Sequence, residues 1–339
     1  MGAGSPPRFA SMPENDPLIL YYTRFFNWQV DIAALPDCGA RGRWTVDQRL
    51  LPVADAVVCH VPNSREICDA RKYPGQLWVA WSQESRVNYP RMADPGFMRH
   101  FDLTMSYEIG ADIWMPYLPI ASWWEAARTS PMAPKTEAAS VVHFQSSRID
   151  HSGRGRFTQE LSRHIGFDGY GKAYHNRMLE QDLGQRSKLE TIARYRFCLA
   201  LENSIAPDYV TEKMFDPLLA GTVPIYLGAP NVADFVPPGS YIDATAFGGP
   251  AELASYLRHL ERTPEDYDAY FAWRSRPLPA PLVQRLRELE SPPECRLMDR
   301  IRQHVETRAD RSGRSSLPFG YLAFARARLA RLRRHARRR

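Results

Sequence analysis

One stretch of the chain, residues 195–231, constrains the fold more than any other. It contains two apolar runs of the length of a buried strand, residues 196–201 and 223–227. A polar loop and a helical pattern that stops near Gly221 lie between these runs. Strand, loop, helix and strand in this order make one βαβ unit of a parallel sheet. Ligands bind such sheets at the carboxyl edge of the strands, and here a helix N-terminus suited to a phosphate group follows that edge.

The length and composition are typical of a two-domain globular protein. A chain of 339 residues exceeds what one hydrophobic core ordinarily supports. Its apolar share of 44% and aromatic share of 12% are those of a folded protein. The sequence contains no apolar run of the roughly 18 residues that a transmembrane helix needs. Residues 1–16 lack the apolar segment of a secretory signal, so we predict a flexible leader and a cytoplasmic protein.

Apolar runs of strand length recur on both sides of a stretch rich in Pro and Ala, residues 130–139. Predicted strands lie near residues 18–23, 54–60, 76–81, 101–107, 113–117, 140–144, 167–171, 196–201, 223–227 and 241–243. Helical patterns cover residues 156–165, 185–194, 251–262 and 265–272. We therefore predict two α/β domains, residues 17–135 and 139–310, that face a cleft. The C-terminal helices are expected to pack across both domains.

The cysteines point to neither a disulfide framework nor a zinc site. Five are scattered along the chain, an odd number with no CxxC pair. Cys198 lies within an apolar strand and is predicted to fill the core. We therefore expect a protein without structural disulfides.

Basic charge is concentrated at the C-terminus. Residues 311–339 contain ten arginines and no acidic residue, which leaves 34 basic and 38 acidic side chains in the rest of the chain. Leu322, Ala325, Leu329, Leu332 and Ala336 share one helix face. This pattern predicts a basic amphipathic tail at an anionic membrane surface. A disordered solubilising tail and a tail with non-specific affinity for nucleic acid are the alternatives.

Four sequence segments carry a family resemblance. They read ENSIAPDYVTEKMFDPLLAGTVPIYLGAPN, ADAVVCHVP, QLWVAWSQES and HSGRGRFTQEL. In their order and spacing, over about residues 43–245, they resemble the α-1,3/4-fucosyltransferases of glycosyltransferase family 10. The resemblance implies a GT-B-type α/β fold with two Rossmann-like domains facing a cleft. Residues 17–135 are then the acceptor-binding domain, residues 139–310 the GDP-fucose-binding domain and its following helices, and 311–339 the basic tail.

The resemblance also implies a reaction, the transfer of L-fucose from GDP-fucose to a sugar hydroxyl with inversion. The departing diphosphate then needs positive charge, which Lys213 at the helix N-terminus and Arg154 are predicted to supply. The family is metal-independent, so no metal or other cofactor is expected. The Asp266-Tyr267-Asp268 string instead indicates a helix start with acidic residues in its first turn.

Two carboxylates are the candidate catalytic groups. Glu84 follows a predicted strand of the first half, and the resemblance places it on the family's proposed general base. The alternative for Glu84 is a surface ion pair with Arg86. Glu212 lies beside Lys213, whose charge would keep it ionised, and in the family this position contacts the fucose.

The remaining candidates are expected to hold the nucleoside or to line the cleft. Glu202, Asn203 and Tyr209 match positions that the family uses for GDP, although Asn203 also suits a turn or helix cap. His60 is assigned to the acceptor cleft, while a structural role is the alternative for His60 and His143. The family pattern is interrupted at Asp216-Pro217, where the proline should kink the helix.

We therefore predict an inverting, metal-independent fucosyltransferase that acts on a glycan such as lipopolysaccharide at the cytoplasmic membrane face. The linkage is predicted to be α-1,3, to N-acetylglucosamine or glucose. One alternative keeps the fold and changes the donor to another GDP-sugar. A basic-tailed nucleic-acid-binding protein is a second, but the terminal arginines lack interleaved aromatic residues, so nucleic acid is not an expected partner. A third, an inactive glycan-binding relative, is opposed by the intact Glu84, Arg154, Glu212 and Lys213.

Overall fold

The first half of the chain forms a six-stranded parallel sheet. The structure, a computed structural model, describes residues 16–39, 42–308, 311, 313–320 and 325. The strands of this sheet are β1 (Leu18–Tyr21), β2 (Arg43–Thr45), β3 (Ala56–His60), β4 (Leu77–Ser82), β5 (Leu103–Ser106) and β6 (Ile113–Trp114). They lie in the order β2-β1-β3-β4-β5-β6, and every neighbouring pair is parallel. Two helices accompany them, α1 (Pro95–Met98) and α2 (Ala121–Thr129).

The second half forms a five-stranded parallel sheet with the order β11-β10-β9-β7-β8. Its strands are β7 (Val141–Phe144), β8 (Phe167–Tyr170), β9 (Phe197–Leu201), β10 (Val223–Leu227) and β11 (Ile242–Asp243). Its helices are α3 (Arg154–Leu161), α4 (Gln185–Ile192), α5 (Glu212–Ala220), α6 (Pro250–Arg262), α7 (Pro264–Asp268), α8 (Ala280–Glu288) and α9 (Pro293–Thr307). Two parallel α/β sheets confirm the predicted fold class.

Two helices cross between the halves. Helix α2 follows the first sheet, yet its Trp124 packs edge-on against Phe215 of α5. Helix α9 comes last, yet its Leu297 and Ile301 are buried against β1, β3, β4 and β5. Each core is therefore completed by a helix from the other half of the chain. The helices predicted at residues 251–262 and 265–272 pack on the second sheet, and it is α9, which the sequence patterns do not predict, that crosses to the first sheet.

A disulfide bond contradicts the expectation from the cysteine pattern. Cys38, which precedes β2, is bonded to Cys295 in α9, 257 residues later. The two positions share no local motif, and only the return of α9 to the first sheet brings them together. Cys198 is buried in β9 as predicted.

The described part of the C-terminal tail lies against the amino edge of the first sheet. Asp55, just before β3, pairs with both Arg308 (2.8 Å) and Arg311. Lys72 and Ser316 exchange backbone hydrogen bonds, and the ring of Phe319 stacks on Phe97. The predicted leader up to residue 15 and the predicted amphipathic helix past Gly320, apart from Ala325, lie outside the described residues. Within the described residues no helix has the length and apolar character needed to cross a bilayer.

Candidate active site

The N-terminus of α5 is fixed by a buried carboxylate. Glu202 follows β9 with its side chain fully buried. It accepts hydrogen bonds from the backbone N–H of Thr211 at 2.8 Å and from the Thr211 hydroxyl at 2.9 Å. Thr211 is the N-cap of α5, and its hydroxyl accepts from the N–H of Lys213. Glu202, predicted as a nucleoside contact, therefore supports the helix end that faces the cleft.

Lys213 lies between two carboxylates. Its Nζ is 3.0 Å from Glu212 Oε1 and 3.5 Å from Glu202 Oε2. Burial lowers the pKa of Lys213, but the charges of Glu202 and Glu212 outweigh that effect and raise it overall. Burial also raises the pKa of Glu202. The ammonium group is therefore held charged at the N-terminus of α5, and the Lys213 side chain is only 20% exposed.

Glu212 keeps its charge at the mouth of the site. Its side chain is 43% exposed. Burial acts to raise the pKa of Glu212, but the charges of Lys213 and Lys188 prevail and lower it. The ionised carboxylate predicted beside Lys213 is therefore present, and it is open to a ligand.

Arg154, at the start of α3, is almost completely buried. It is 1% exposed, and its guanidinium donates to the carbonyl oxygens of Ser147 (3.1 Å), Ile149 (2.9 Å) and Leu201 (3.2 Å). Its Nε–H has no hydrogen-bond partner within the described part of the chain, and burial lowers the pKa of Arg154. Arg154 thus joins the loop before α3 to the end of β9. The guanidinium of Arg154 therefore does not face solvent.

The first domain contributes Glu84 to the same place. Glu84 follows β4, and its N–H donates to the side chain of Ser82 at 3.1 Å. The hydroxyl of Tyr209 lies 3.4 Å from Glu84 Oε2, across the gap between the domains. Arg86 pairs instead with Glu108, so the alternative of a surface ion pair for Glu84 is wrong.

Further contacts hold the two domains together beside this point. Asn88 donates to Asn203 Oδ1 at 2.8 Å, and the N–H of Ile109 donates to Asp208 at 2.9 Å. Asp208 has a left-handed backbone with φ of 64°, and Asn231 holds its carboxylate at 2.8 Å. A non-glycine residue in this conformation is strained, and such strain persists where surrounding contacts impose it. The donor loop is therefore anchored to the opposite domain.

The two candidate histidines are buried, and neither is fully hydrogen-bonded within the described residues. His60 Nδ1 lies 2.9 Å from Asn63 Oδ1, but His60 Nε2 has no partner, and neither does His143 Nδ1. Burial lowers the pKa of His60 to about 4 and that of His143 to about 3, the latter aided by the charges of Arg154 and Lys213. Both rings are therefore neutral near pH 7. Their burial agrees with a structural role, but each ring has one nitrogen without a hydrogen-bond partner among the described residues.

Sequence reasoning missed several residues of the site. Lys188 in α4 pairs with the buried Asp216 of α5 at 2.6 Å and also borders a cavity of about 460 Å³ at the ends of β7 and β8. Tyr117 lies against Tyr209 and donates to the carbonyl oxygen of Gln83 at 3.0 Å. An apolar-to-polar change at the end of each strand was the available signal. Lys188 lies in helix α4, away from any strand end, and Tyr117, at the end of the strand predicted near residues 113–117, was not singled out.

The described residues contain no cluster of side chains that could bind a metal ion. No cluster of three or more His, Cys, Asp or Glu side chains able to hold a metal ion occurs among them. Asp266 lies in the first turn of α7, as predicted, and contacts His259 at 2.7 Å. Pro217 lies inside α5, which continues to Ala220. Because proline has no N–H, the carbonyl oxygen of Lys213 lacks the hydrogen bond that residue 217 would otherwise donate.

The arrangement can hold an anion at a helix N-terminus and place a carboxylate from the other domain beside it. Two parallel α/β domains that meet at such a site define a glycosyltransferase of the GT-B type. The chain belongs to glycosyltransferase family 10, the fucosyltransferase family. The family's C-terminal model matches residues 133–312, and its N-terminal model matches residues 14–118.

Named relatives and a solved structure agree with this assignment. The Homo sapiens 4-galactosyl-N-acetylglucosaminide 3-alpha-L-fucosyltransferase FUT6 is 33% identical over 288 residues, which cover 80% of this chain and 77% of that protein. The Homo sapiens 3-galactosyl-N-acetylglucosaminide 4-alpha-L-fucosyltransferase FUT3 is 33% identical over 239 residues, 68% of this chain and 64% of that protein. A crystal structure of an alpha1,3-fucosyltransferase with GDP-fucose superposes with a TM-score of 0.60 at 16% identity, covering 91% of this chain and 96% of that one.

Proposed function

We propose that this protein transfers L-fucose from GDP-fucose to a sugar hydroxyl of a glycan, with inversion and without a metal ion. The observation that carries the proposal is the meeting of Glu84 with the donor loop at Tyr209, 3.4 Å apart. A carboxylate of one domain thereby reaches Tyr209, two residues before the N-cap of α5 in the other domain. The family assignment and the donor named for the superposed crystal structure support GDP-fucose as the substrate.

The proposed step uses three charged side chains. Glu84 accepts the proton of the acceptor hydroxyl, whose oxygen forms the new bond to the anomeric carbon of fucose. The bond from that carbon to the diphosphate oxygen breaks, and its electron pair leaves with GDP. Lys213 and the positive end of the α5 dipole stabilise the charge on the departing diphosphate. Glu212 lies beside them and is proposed to contact the fucose.

The cavity at the ends of β7 and β8 is proposed to receive the nucleoside part of the donor. Its volume of about 460 Å³ lies within the usual range for small-ligand pockets. The rings of Phe144 and Tyr170, stacked 4.9 Å apart, contribute apolar surface to its wall. Lys172, Arg177 and Lys188 contribute positive charge. Lys188 also links this cavity to Glu212, since its charge lowers the pKa of that carboxylate.

The chain is 33% identical both to a relative named for 3-alpha transfer and to one named for 4-alpha transfer. We propose α-1,3 transfer to N-acetylglucosamine in a galactosylated glycan. The test is an assay with GDP-fucose and N-acetyllactosamine that measures GDP release and the product linkage by NMR. Product with fucose on O3 of N-acetylglucosamine is expected. Release of GDP without a fucosylated product from any glycan in an acceptor screen would contradict the proposal.

Metal independence has its own test. Lys213 and the α5 N-terminus supply the positive charge that a divalent ion would otherwise provide. We expect the transfer rate to be unchanged in excess EDTA. Loss of the rate in EDTA, with recovery on adding manganese, would show that a metal ion takes part.

Membrane attachment of the tail is also part of the proposal. The ten arginines of residues 311–339 suit an anionic lipid surface. A chain ending at Gly320 keeps the contacts of Arg311 and Phe319 with the first domain. We expect it to transfer fucose to a soluble acceptor normally but to lose co-sedimentation with phosphatidylserine vesicles. Equal co-sedimentation of the truncated and the full-length chain would show that the tail does not bind the membrane.

A further inference from the structure

A four-residue turn after β1 displays aromatic side chains at the carboxyl edge of the first sheet. The N–H of Phe25 donates to the carbonyl oxygen of Trp28 at 2.9 Å, and the N–H of Trp28 donates back to that of Phe25, also at 2.9 Å. The indole of Trp28 is 76% exposed, and the ring of Phe26 is half-buried. The catalytic step described above uses neither side chain.

The turn is strained and held in place. Phe26 has φ of 51°, a left-handed conformation that is rare for a bulky residue. Asn63 donates to the carbonyl oxygen of Phe26 at 2.8 Å, and its own side-chain oxygen lies 2.9 Å from His60 Nδ1. Arg24, at the start of the turn, is paired with Glu66 at 2.7 Å. Because strain of this kind persists only where the surroundings impose it, the turn presents Trp28 in a fixed position.

The turn borders the cleft that contains Glu84. The ring of Phe25 stacks on Trp81 at 5.2 Å, and Trp81 lies in β4, three residues before Glu84. The ring of Phe26 lies 6.1 Å from Tyr89. Burial, followed by the negative charge of Glu84, raises the pKa of Tyr89, which shows that Tyr89 lies near that carboxylate. An acceptor whose hydroxyl reaches Glu84 therefore extends toward this turn.

We propose that Trp28, with Phe26, forms an acceptor subsite for a sugar that is linked to the reacting one. This inference rests on the proposed function. A pyranose ring has an apolar C–H face that packs on a flat aromatic ring, while its hydroxyls need polar partners. Asn27 and Gln29, the exposed neighbours of Trp28 in the chain, can supply them. A lipid or protein partner would require a broader apolar patch.

The experiment compares two acceptors in steady-state kinetics, N-acetyllactosamine and free N-acetylglucosamine. Trp28→Ala should raise KM for N-acetyllactosamine about tenfold, equivalent to about 1.4 kcal/mol. Its kcat, its KM for GDP-fucose and its KM for N-acetylglucosamine should stay within twofold of wild type. Trp28→Phe should recover part of the loss. Trp123→Ala, which removes an exposed tryptophan of α2, is the matched control and should leave all constants unchanged.

A second variant protects the test against misfolding. Phe26→Asn removes the ring but keeps a residue that tolerates left-handed backbone, and it should also raise KM for N-acetyllactosamine. An unchanged KM in both variants overturns the subsite, as does an equal rise for both acceptors. A shift in KM for GDP-fucose indicates a structural role and also overturns it. If KM is unchanged but Trp28→Ala loses vesicle binding, the turn binds lipid. If KM is unchanged but the variant loses self-association, the turn binds a second copy of the chain. If wild type transfers no fucose, the proposed function itself fails.

Discussion

The distance between Glu84 and Tyr209 suits the replacement of the Tyr209 hydroxyl by the hydroxyl of an acceptor. Their 3.4 Å separation is long for a hydrogen bond between two oxygens, for which about 2.7 Å is usual. An acceptor hydroxyl can therefore replace Tyr209 at the carboxylate with little loss. Burial raises the pKa of Tyr209 well above its ordinary value, so its hydroxyl stays protonated and does not compete for the acceptor proton.

Glu84→Gln should remove the base and retain the shape of the cleft. General-base catalysis contributes about 10²–10⁴-fold, so kcat should fall by at least a hundredfold while the Kd for GDP stays unchanged. Rate and affinity are measured by coupled GDP release and by calorimetry. Glu125→Gln, at an exposed carboxylate of α2, is the control. Normal turnover in Glu84→Gln would exclude Glu84 as the base.

Lys213→Ala should weaken the binding of GDP itself. Hydrogen bonds to charged groups are worth about 1.5–3 kcal/mol, so Kd should rise roughly 10- to 150-fold. Calorimetric titration with GDP provides the measurement. Arg186→Ala removes an exposed cation of α4 and should bind GDP normally. Equal affinities for the two variants would place the diphosphate elsewhere.

His143 should make the fold sensitive to acid. Its pKa is about 3 in the native protein and about 6.5 in an unfolded chain. Below pH 6.5 the unfolded chain therefore binds the extra proton, and at pH 5 this costs about 2 kcal/mol of stability. Urea unfolding at pH 7.5 and 5.0 should show a loss smaller by about 2 kcal/mol in His143→Gln than in wild type. His164→Gln, at an exposed ring, should match wild type; an equal loss in all three proteins would refute the assignment.

Residue identities could be predicted from sequence better than residue surroundings. The sequence motifs single out Lys213, Glu212 and Glu202, and the structure brings all three to the α5 N-terminus. The same reasoning predicts Arg154 only as a group that contacts the diphosphate. Its three carbonyl partners depend on how the loop before α3 folds back on β9, and that path is not encoded in any local pattern.

At the scale of elements, the loop and cap before α5 carry much of the site's order. Thr211 caps the helix and also donates to Glu202, so one hydroxyl joins a strand end to a helix start. A buried carboxylate that loses a donor is costly. This single residue therefore couples the stability of the fold to the position of Lys213.

Thr211→Val should test this coupling. The isosteric change removes the cap, worth about 1 kcal/mol, and one hydrogen bond to a buried charge, worth about 1.5–3 kcal/mol. We expect a loss of about 2–4 kcal/mol in urea unfolding, together with weaker GDP binding. The control is Thr129→Val, an exposed position whose hydroxyl only contacts the carbonyl oxygen of Glu125. A loss below 0.5 kcal/mol, the usual range for surface changes, would contradict the coupling.

Strands and helices with a strong apolar pattern could be predicted from the sequence, whereas those without such a pattern could not. Strands β9 and β10 are buried on both faces, so their sequences read as apolar runs. Strand β2 (Arg43–Thr45) is a three-residue edge strand without such a run. Helices α2 and α9 were not predicted, and neither was the packing of each on the core of the other domain.

At the scale of the whole molecule, the Cys38–Cys295 bridge ties the first loop region to the last long helix. A cross-link that closes so long a loop restricts the unfolded chain, typically by about 2–4 kcal/mol. Such bonds form in oxidising compartments. The cytoplasmic location stays a prediction from the sequence.

Cys38→Ser combined with Cys295→Ser should lower the free energy of unfolding by about 2–4 kcal/mol. Wild type treated with dithiothreitol should lose the same amount, and the double variant should not respond to the reagent. Mass spectrometry of unreduced peptides verifies the bond. Equal stability of wild type with and without reductant would show that the bridge does not stabilise the fold.

The exchange of helices α2 and α9 makes each domain depend on the other half of the chain. The chain passes from the first core to the second before α2 and returns before α9. A fragment that ends before α2 would lack the helix that covers one face of the first sheet, and a fragment that begins after α2 would lack a helix of the second core. Neither half is therefore expected to fold as an independent domain, and the two cores are expected to unfold together.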